Sequence, residues 1–350
     1  MDSNLQNRLI SKLDSLNYEK IKNIHVVLLP DFFVDHFLIL DDINKKFNKI
    51  KKIYDQGGGN IPNIQQKISQ GGNSANTALA LARLGFNSHL ICKTDDFGLN
   101  LLNFFLGKHN VDLSQVKTDG KLAITTALEF KSNNSNIMLG DTASVSDFSF
   151  DNLDQSDLDL IANSDLLCVT TWNLNNKGSN LAKKAFDFAK NNNTKTYFDT
   201  GDPSPKKDEI PYLLENVIND NNLDILGLNE NELSYYSGIN ASSQDEIVNA
   251  VYSLKEKVNA RIDFHTADFT GSIKDKPIII PTIDIATKYR STGAGDAWNA
   301  GNIFGELLGF NDDERLLFAN CVAGLYISSP NPLHPDLKDI NNFLKNLGKI

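Results

Sequence analysis

Strand-like and helix-like segments alternate along most of this 350-residue chain. Short apolar or β-branched runs predict strands, and amphipathic or small-residue segments between most of them predict helices. The predicted strands cover residues 25–33, 89–94, 166–172, 195–199, 224–228, 261–265 and 277–283. The predicted helices cover residues 74–84, 180–190, 211–218, 244–258, 296–308 and 313–328. This order predicts an α/β fold with a mainly parallel sheet and helices on both faces, whose ligands bind beyond the carboxyl ends of the strands.

Two stretches interrupt the alternation, residues 31–60 and 121–140. Within the second, residues 121–130 and 136–139 have strand character, and the connecting sequence Asn133-Asn134-Ser135 predicts a hairpin turn. Strands inserted at the ligand edge of an α/β sheet are well placed to form a lid. We therefore expect one domain over residues 23–350, with lid segments at about 31–60 and 121–140, preceded by an N-terminal surface helix over residues 1–22.

Composition and charge exclude several classes of protein. The formal net charge of −10 argues against nucleic-acid binding, although backbone amides and a divalent cation can hold a nucleotide in an acidic protein. No apolar run approaches membrane-spanning length and no signal peptide is evident, so we expect a cytoplasmic protein without a membrane partner. Cys92, Cys168 and Cys321 are dispersed in apolar segments, which indicates buried reduced thiols.

A glycine-rich turn near residue 293 leads into a predicted helix. It reads Ser291-Thr292-Gly293-Ala294-Gly295-Asp296. Such a turn directs several N–H groups to one point at the positive end of a helix, which makes an anion site for a phosphate or a transferring phosphoryl group. Asp296 has two interpretations. It is either a general base for a hydroxyl that attacks this phosphoryl group or a helix cap, and the turn alone favours the cap.

A second glycine-rich turn, at Gly71 and Gly72, also leads into a predicted helix. Asn73 and Asn76 follow, and their amide side chains offer donors and acceptors without charge, which suits the vicinal hydroxyls of a sugar. An ordinary capped helix is the alternative interpretation.

Together, the motifs Gly71-Gly72-Asn73 with Asn76 and Thr292-Gly293-Ala294-Gly295-Asp296 resemble the two signatures of the ribokinase-like, or PfkB-type, carbohydrate kinases. The resemblance extends from about residue 24 to residue 328. It implies a three-layer α/β/α fold with a small inserted β lid. It also implies transfer of the γ-phosphoryl group of ATP to a hydroxyl of a sugar or sugar-like molecule, with Mg²⁺.

The resemblance also implies roles for individual residues. Asp296 corresponds to the catalytic base, and the backbone of Gly293, Ala294 and Gly295 corresponds to the anion hole. The sugar-binding positions correspond to Asp35, Gly71, Gly72, Asn73 and Asn76, with Asp31 as a competitor of Asp35 because Leu29-Pro30 replaces the family's usual lead-in.

The nucleotide-binding positions implied by the resemblance are Asn229, Thr266, Gly271, Thr292, Gly293, Gly295 and Asn320. Glu232, in the sequence Asn229-Glu230-Asn231-Glu232, corresponds to the residue that organises Mg²⁺, although Asn229 and Glu232 equally fit a helix capping box. Asp268 stands where a glycine is common under the nucleotide, and Arg290 stands where an acidic residue is common near a monovalent-cation site. The chain has no Walker A motif, and no G-x-G-x-x-G follows its first strand.

The sequence leaves several alternatives open for the function and the phosphate donor. A nucleoside kinase of the same family would use the same base and anion hole, a non-catalytic sensor would retain only the fold, and ADP is another possible phosphate donor. No Lys or Arg lies at the expected positions beside Asp31, Asp35 or residues 71–76, which favours an unphosphorylated acceptor, although the lysines of residues 45–52 and Lys121 could reach the pocket from the lid segments. A homodimer formed through the lid is also compatible with the resemblance.

Overall fold

A computed structural model describes residues 2–40, 42–130, 135–241 and 243–347. The strands are β1 (His25–Leu29), β2 (Phe33–Leu40), β3 (Gln65–Gly71), β4 (Asn87–Leu90), β5 (Val111–Asp112), β6 (Ala123–Phe130), β7 (Ser135–Asp141), β8 (Leu166–Val169), β9 (Lys195–Asp199), β10 (Ile225–Asn229), β11 (Arg261–His265), β12 (Phe269–Ile273) and β13 (Pro277–Pro281). The α-helices are α1 (Ser3–Asp14), α2 (Tyr18–Ile21), α3 (Ile43–Asp55), α4 (Asn73–Leu84), α5 (Asp96–Phe105), α6 (Gln155–Ala162), α7 (Gly178–Asn191), α8 (Ile210–Leu213), α9 (Glu230–Ser237), α10 (Gln244–Lys255), α11 (Ala294–Leu307), α12 (Asp312–Ser328) and α13 (Leu337–Asn346).

A nine-stranded sheet forms the centre of the molecule, in the order β13-β12-β11-β10-β9-β8-β1-β4-β5. All pairs from β11 to β5 are parallel, and β12 and β13 add an antiparallel edge. Alternate residues of β1 enter opposite cores: Val26 and Leu28 pack in the core that includes α4, α11 and α12, and Val27 and Leu29 pack in the core that includes α7 and α10. The mainly parallel sheet with helices on both faces is therefore confirmed.

A second sheet of four strands, in the order β3-β2-β6-β7, lies over the ligand edge of the central sheet, and we call it the lid sheet. The strands β2 and β6 run parallel, and the two outer pairs are antiparallel. The predicted turn residues Asn133 and Asn134 lie outside the described residues. Within the predicted segment 31–60 the structure has the strand β2 and the helix α3, whose Phe47 ring stacks on Phe130 of β6.

The first predicted strand, residues 25–33, is wrong in its length. β1 ends at Leu29, and the chain begins the lid strand β2 at Phe33. Pro30 explains this boundary, since proline has no N–H to donate to a strand ladder. The strand β12 was not predicted, because residues 266–271 were interpreted as a nucleotide-binding segment.

The N-terminal segment contains two helices, α1 and α2, where one surface helix was expected over residues 1–22. The apolar face of α1 is buried: Leu5, Leu9 and Leu13 pack in the same core as α12 and α13. The three cysteines are free and buried, as expected. No helix within the described ranges is both long and apolar enough to cross a membrane.

Candidate active site

The turn before α11 leaves the start of this helix open. Gly293 is the N-cap residue and has a left-handed φ of 80°, where a Cβ atom would lie 2.9 Å from the Tyr326 hydroxyl. No side chain among the described residues caps α11. Helix N-termini carry unpaired N–H groups and a partial positive charge, so this end of α11 can hold an anion.

Asp296 is the third residue of α11, so the helix-cap interpretation is wrong. Its side chain is buried, and one oxygen accepts a hydrogen bond of 2.9 Å from Asn76 Nδ2. Burial raises the pKa of Asp296 well above its usual value, and the charges of Asp199, Asp31 and Asp35 act in the same direction. The structure therefore brings together the two glycine-rich motifs that are 220 residues apart in sequence.

The two competing aspartates near β2 have different surroundings. Asp31 is fully buried and accepts hydrogen bonds from the amides of Asn73 and Ser74 at 2.9 and 3.0 Å and from the Thr170 hydroxyl at 2.9 Å. These bonds fix the first turn of α4, so Asp31 has a structural role here. Asp35 instead lines an open cavity.

Asp35 also explains the first glycine of the second motif. A Cβ atom on Gly71 would lie only 2.3 Å from Asp35 Oδ1, so any other residue would displace this carboxylate. Burial, followed by the charge of Asp31, raises the pKa of Asp35 to about 6. Gly72 has a φ of 94°, and the Asn73 side chain is half-buried with no hydrogen bond to any described residue.

The cavity beside Asp35 has a volume of about 630 Å³ and lies between the lid sheet and the loop before α11. Its polar wall includes Asn76, Ser291 and Thr292. The aromatic side chains of the lining are Phe37, Phe130, Tyr289 and Tyr326, and the charged ones are Asp35, Lys67, Glu129, Lys288 and Arg290.

Sequence reasoning missed the three basic residues of this cavity. Lys67 lies on β3. Its cross-strand partner on β2 is Phe37, which is on the same face of the lid sheet as Asp35. Period-two alternation along β3 would have identified this face, because Lys67, Ser69 and Gly71 share it. The strand β3 itself was not predicted, since only one apolar residue, Ile68, stands in its sequence QQKISQG.

Arg290 is committed to the backbone behind the glycine-rich turn. Its guanidinium donates hydrogen bonds to the carbonyls of Tyr326, Ser329 and Pro330 at 2.6 to 3.1 Å and lies 5.2 Å above the Tyr326 ring. Since the Tyr326 hydroxyl is the group closest to Gly293, these contacts support the turn that precedes α11.

The predicted capping box at the start of α9 is present. Glu232 accepts from the backbone amide and the side-chain amide of Asn229, both at 2.9 Å, and its own N–H donates to Asn229 Oδ1 at 2.9 Å. Glu232 is buried, and burial together with the charge of Asp199 raises its pKa well above the usual value. The two interpretations are thus compatible: the pair caps α9 and also adds a carboxylate near Asp199.

Five carboxylates gather near the carboxyl ends of β1, β9 and β10, and we call them the acidic cluster: Asp31, Asp35, Asp199, Glu232 and Asp296. Among the described residues none of them forms an ion pair. Asp199 accepts from the Gly201 amide and from Asn299 Nδ2, and burial raises its pKa.

The acidic cluster fits a hard divalent cation that is shared with a bound ligand. Its donors are all oxygen atoms, and their charges are unbalanced. No group of three or more His, Cys, Asp or Glu side chains within the described ranges is arranged to hold a metal ion by itself. Mg²⁺ meets both conditions, because it retains several waters and binds through one or two carboxylates and substrate phosphates.

Three residues expected to contact the nucleotide also have contacts within the fold. Thr266 closes the turn between β11 and β12 by donating to the Phe269 carbonyl at 2.8 Å. Gly271 lies inside β12, where a Cβ atom would be 2.4 Å from the Phe264 ring. The Asn320 side chain accepts from Trp298 Nε1 at 3.0 Å and donates to the Thr270 hydroxyl and the Pro281 carbonyl. Asp268, which stands where a glycine is common in the family, has an exposed side chain in the turn.

His265 is a further residue beside the anion site that sequence reasoning missed. A Cβ atom on Gly295 would lie 3.4 Å from His265 Cε1, and the His265 ring packs on Trp298. Burial lowers the pKa of His265 to about 4, so the ring is neutral at physiological pH. Its position as the last residue of a predicted strand was the available signal, since ligands bind at that edge.

Comparison with known proteins gives a consistent result. Residues 38–339 match the model of the pfkB family carbohydrate kinases. The chain is 26% identical to a 5-dehydro-2-deoxygluconokinase of Clostridium beijerinckii, covering 95% of this chain and 96% of that protein.

Two solved structures share the fold. Arabidopsis thaliana ribokinase, complexed with ribose and ATP, superposes with a TM-score of 0.75 at 19% identity, covering 93% of this chain and 99% of that one. The adenosine kinase from Sinorhizobium meliloti superposes with a TM-score of 0.72 at 16% identity, covering 89% and 95%. Because the family model spans most of the sequence and the architecture is ribokinase-like, the chain belongs to the pfkB family of carbohydrate kinases, which are ATP-dependent phosphotransferases.

Proposed function

We propose that this kinase transfers the γ-phosphoryl group of ATP to a hydroxyl of a sugar or sugar-like molecule, with Asp296 as the catalytic base. One observation carries the proposal. Asp296 is a buried carboxylate without a cationic partner among the described residues, next to the uncapped start of α11 and hydrogen-bonded to Asn76 at the edge of the Asp35 cavity. Burying a charge without a partner is costly, and such groups concentrate at functional sites.

The proposed step balances as follows. The acceptor hydroxyl oxygen forms a bond to the γ-phosphorus of ATP while the bond from that phosphorus to the β–γ bridging oxygen breaks, and ADP leaves. The hydroxyl proton passes to the Asp296 carboxylate. The amides of Gly293, Ala294 and Gly295 stabilise the negative charge on the transferring group, and most of the rate acceleration comes from positioning and charge stabilisation.

The other polar groups at the cavity have orienting roles. Asp35 accepts hydrogen bonds from acceptor hydroxyls, and Asn73 and Asn76 supply neutral amides. Thr292 and Asn229 contact the nucleotide. Mg²⁺ held near Asp199 and Glu232 would neutralise phosphate charge when ATP is bound. The three reduced cysteines fit a reducing compartment, and we place the reaction in the cytoplasm.

A sugar acceptor is favoured by the family and by the relative named as a 5-dehydro-2-deoxygluconokinase. A nucleoside acceptor is the second candidate, because Phe37, Phe130 and Tyr289 line the cavity and a base could stack on them. A non-catalytic sensor is disfavoured, since the carboxylate and the open helix start needed for transfer are both present.

The test is a screen for phosphorylated products with ATP or ADP as donor. Acceptors should include neutral sugars, sugar acids such as 5-dehydro-2-deoxygluconate, sugar phosphates and nucleosides. We expect a sugar or sugar acid to be phosphorylated with ATP. A phosphorylated nucleoside as the best product would replace the acceptor assignment, and a product formed faster with ADP would replace the donor. Ligand-dependent thermal stabilisation without any product would contradict the proposal.

We also propose that the lid sheet forms a homodimer contact. Ile68, His36, Thr126 and Leu139 form one row across the four strands, and Ile68 and Leu139 are more than half exposed. Covering exposed apolar side chains favours association. Light scattering should show a dimer for the wild type and a shift to monomer for Ile68→Lys, and a wild-type monomer at all concentrations would contradict this contact.

A further inference from the structure

We propose that the acceptor carries an anionic group, a carboxylate or a phosphate, that is bound by Lys67 and Lys288 at the mouth of the Asp35 cavity. The inference rests on the proposed function, because it concerns the substrate of the same site. It replaces the expectation of an unphosphorylated acceptor, whose premise was that no Lys or Arg lies at the expected positions beside the pocket. The structure brings Lys67, Lys288 and Arg290 to the cavity wall.

The two lysines approach the cavity from opposite sides. Lys67 is on β3 of the lid sheet, and Lys288 is in the loop between β13 and α11. This loop also carries Ser291 and Thr292, which line the same cavity. A ligand between the lid sheet and this loop would therefore meet an ammonium group from each side.

Neither lysine has a carboxylate partner in the part of the chain that the structure describes. Lys67 and Lys288 make no ion pair or hydrogen bond with any described residue, whereas Lys12, Lys93 and Lys195, for example, each pair with a carboxylate. Lys67 lies 5.9 Å from the centre of the Phe37 ring, which directs its ammonium over the inner face of the lid sheet. Two unpaired ammonium groups at one cavity are available to an anionic ligand.

Two further charged residues, Arg290 and Glu129, lie beside the lysines in the cavity lining. Arg290 adds positive charge although its N–H groups are committed to backbone carbonyls. Burial and the Arg290 charge lower the pKa of Lys67, and the charge of Glu129 acts in the opposite direction. Besides Asp35, Glu129 is the one carboxylate among the described lid-sheet residues that line the cavity. The three basic residues Lys67, Lys288 and Arg290 therefore outnumber Glu129 at the mouth.

The spacing along β3 suits a short sugar chain. Asp35 is paired with Ser69, and Lys67 lies two residues further along the strand, which corresponds to about 6–7 Å. An acceptor with an anionic group at one end can place it at Lys67 while hydroxyls nearer its other end reach Asp35, with the reacting hydroxyl at Asp296. A neutral sugar would leave the two ammonium groups without a partner.

The experiment compares a neutral sugar with acceptors that carry an anionic group. Glucose, gluconate, glucose 6-phosphate and 5-dehydro-2-deoxygluconate are assayed with ATP, and their binding is measured by calorimetry. We expect a sugar acid or sugar phosphate to have a kcat/KM at least about tenfold above that of the neutral sugar, since a charge-assisted contact supplies a factor of this size. The separate acid and phosphate arms identify which anion is bound.

The matched variants are Lys67→Met, Lys288→Met and Lys67→Arg, with Lys49→Met as an exposed control on α3 of the lid. Each methionine variant should raise KM for the anionic acceptor about tenfold or more with little change in kcat, and Lys67→Arg should restore much of the loss. Activity on the neutral sugar should change less than twofold in all four. Equal losses on charged and neutral acceptors, or no preference of the wild type, would overturn the inference.

Binding separates a failure of this inference from a failure of the proposed function. If no acceptor is phosphorylated but gluconate or the phosphate still binds more tightly than glucose, and this difference depends on Lys67, the anion site stands and the kinase proposal fails. If glucose is phosphorylated as efficiently as the acids and both bind equally, the kinase proposal stands and the anion site fails.

Discussion

One face of α11 carries two buried polar clusters that differ in charge balance. At its start, Asp296 belongs to the acidic cluster. Asn299 contacts this cluster by donating a hydrogen bond to Asp199. Further along, Asn302 donates to Asp263 at 2.9 Å, and Glu306 accepts from Arg261 at 2.6 Å. We call the second set, with Arg315, the Asp263 network.

The two clusters have opposite electrostatics. Asp263 is fully buried and meets Arg315 at 2.7 Å and Arg261 at 2.9 Å. Although burial acts against it, these two arginines hold the pKa of Asp263 well below its usual value. In the acidic cluster burial raises the pKa values, and no ion pair compensates them among the described residues.

The charge balance of a buried cluster distinguishes structural from functional charge in this fold. A buried charge with its partners in place holds neighbouring elements together, and it is costly to break. Buried charges without partners destabilise the fold, and they are retained where a ligand supplies the missing counter-charge. The acidic cluster is of this second kind.

The largest expected effect on stability is that of Asp263→Ala. It leaves Arg315 buried without its main partner, so we expect a loss of about 3–5 kcal/mol in the free energy of unfolding. Urea denaturation measures this, with the exposed Asp275→Ala as control. A loss below about 1 kcal/mol, no larger than a typical surface effect, would remove the structural role of the network.

A smaller effect concerns pH and the acidic cluster. The pKa of Asp35 is raised to about 6 and that of Asp296 is also raised, so both carboxylates take up protons as the pH falls. Because an ionised carboxylate is the stronger hydrogen-bond acceptor and only it can take up the hydroxyl proton, kcat/KM should fall below about pH 6, by up to about tenfold per pH unit for each group that titrates.

The matched variant for this profile is Asp35→Asn. It removes one titrating group and also the negative charge that raises the pKa of Asp296, so the acid limb should move to lower pH at a reduced overall activity. A profile that stays flat from pH 8 to 5 in the wild type, or a limb that does not move in the variant, would contradict the role of the acidic cluster.

The smallest expected effect is at an exposed ion pair. Lys51 and Asp55 are one turn apart on α3, with side chains 72% and 53% exposed. Such pairs contribute only about 0.3–0.5 kcal/mol in solution, so Lys51→Met should shift the urea midpoint barely beyond error. A loss above about 1 kcal/mol in the free energy of unfolding would show that an exposed ion pair can be as important for stability as a buried one, which contradicts the contrast with the Asp263 network.

Much of the fold could be predicted from local sequence. The strands Lys195–Asp199 and Arg261–His265 match their predicted bounds, because short segments with β-branched and aromatic residues between turn residues are typical of strands. The lid strand β3 could not be found in this way. Its residues are mostly polar, and only pairing with β2 makes it a strand.

Part of the candidate site could likewise be predicted from local sequence, and part could not. The glycine turns and Asp296 were visible because they are local motifs, and the structure shows where they meet. The structural role of Asp31 and the basic residues at the cavity depend on contacts between segments far apart in sequence, such as Asp31 with Thr170. Asn320 and Thr266 were placed in the nucleotide site by resemblance, whereas their side chains are used within the fold.

The most direct test of the central claim is the rate of phosphoryl transfer by Asp296→Asn in a single turnover with ATP and the best acceptor. We expect the rate to fall by about 10²–10⁴-fold, with ATP binding unchanged. The thermal midpoint near pH 7–8 should not decrease, because the raised pKa of Asp296 means that its ionised form destabilises the fold at this pH. A rate within about tenfold of the wild type would contradict the assignment of Asp296 as the base.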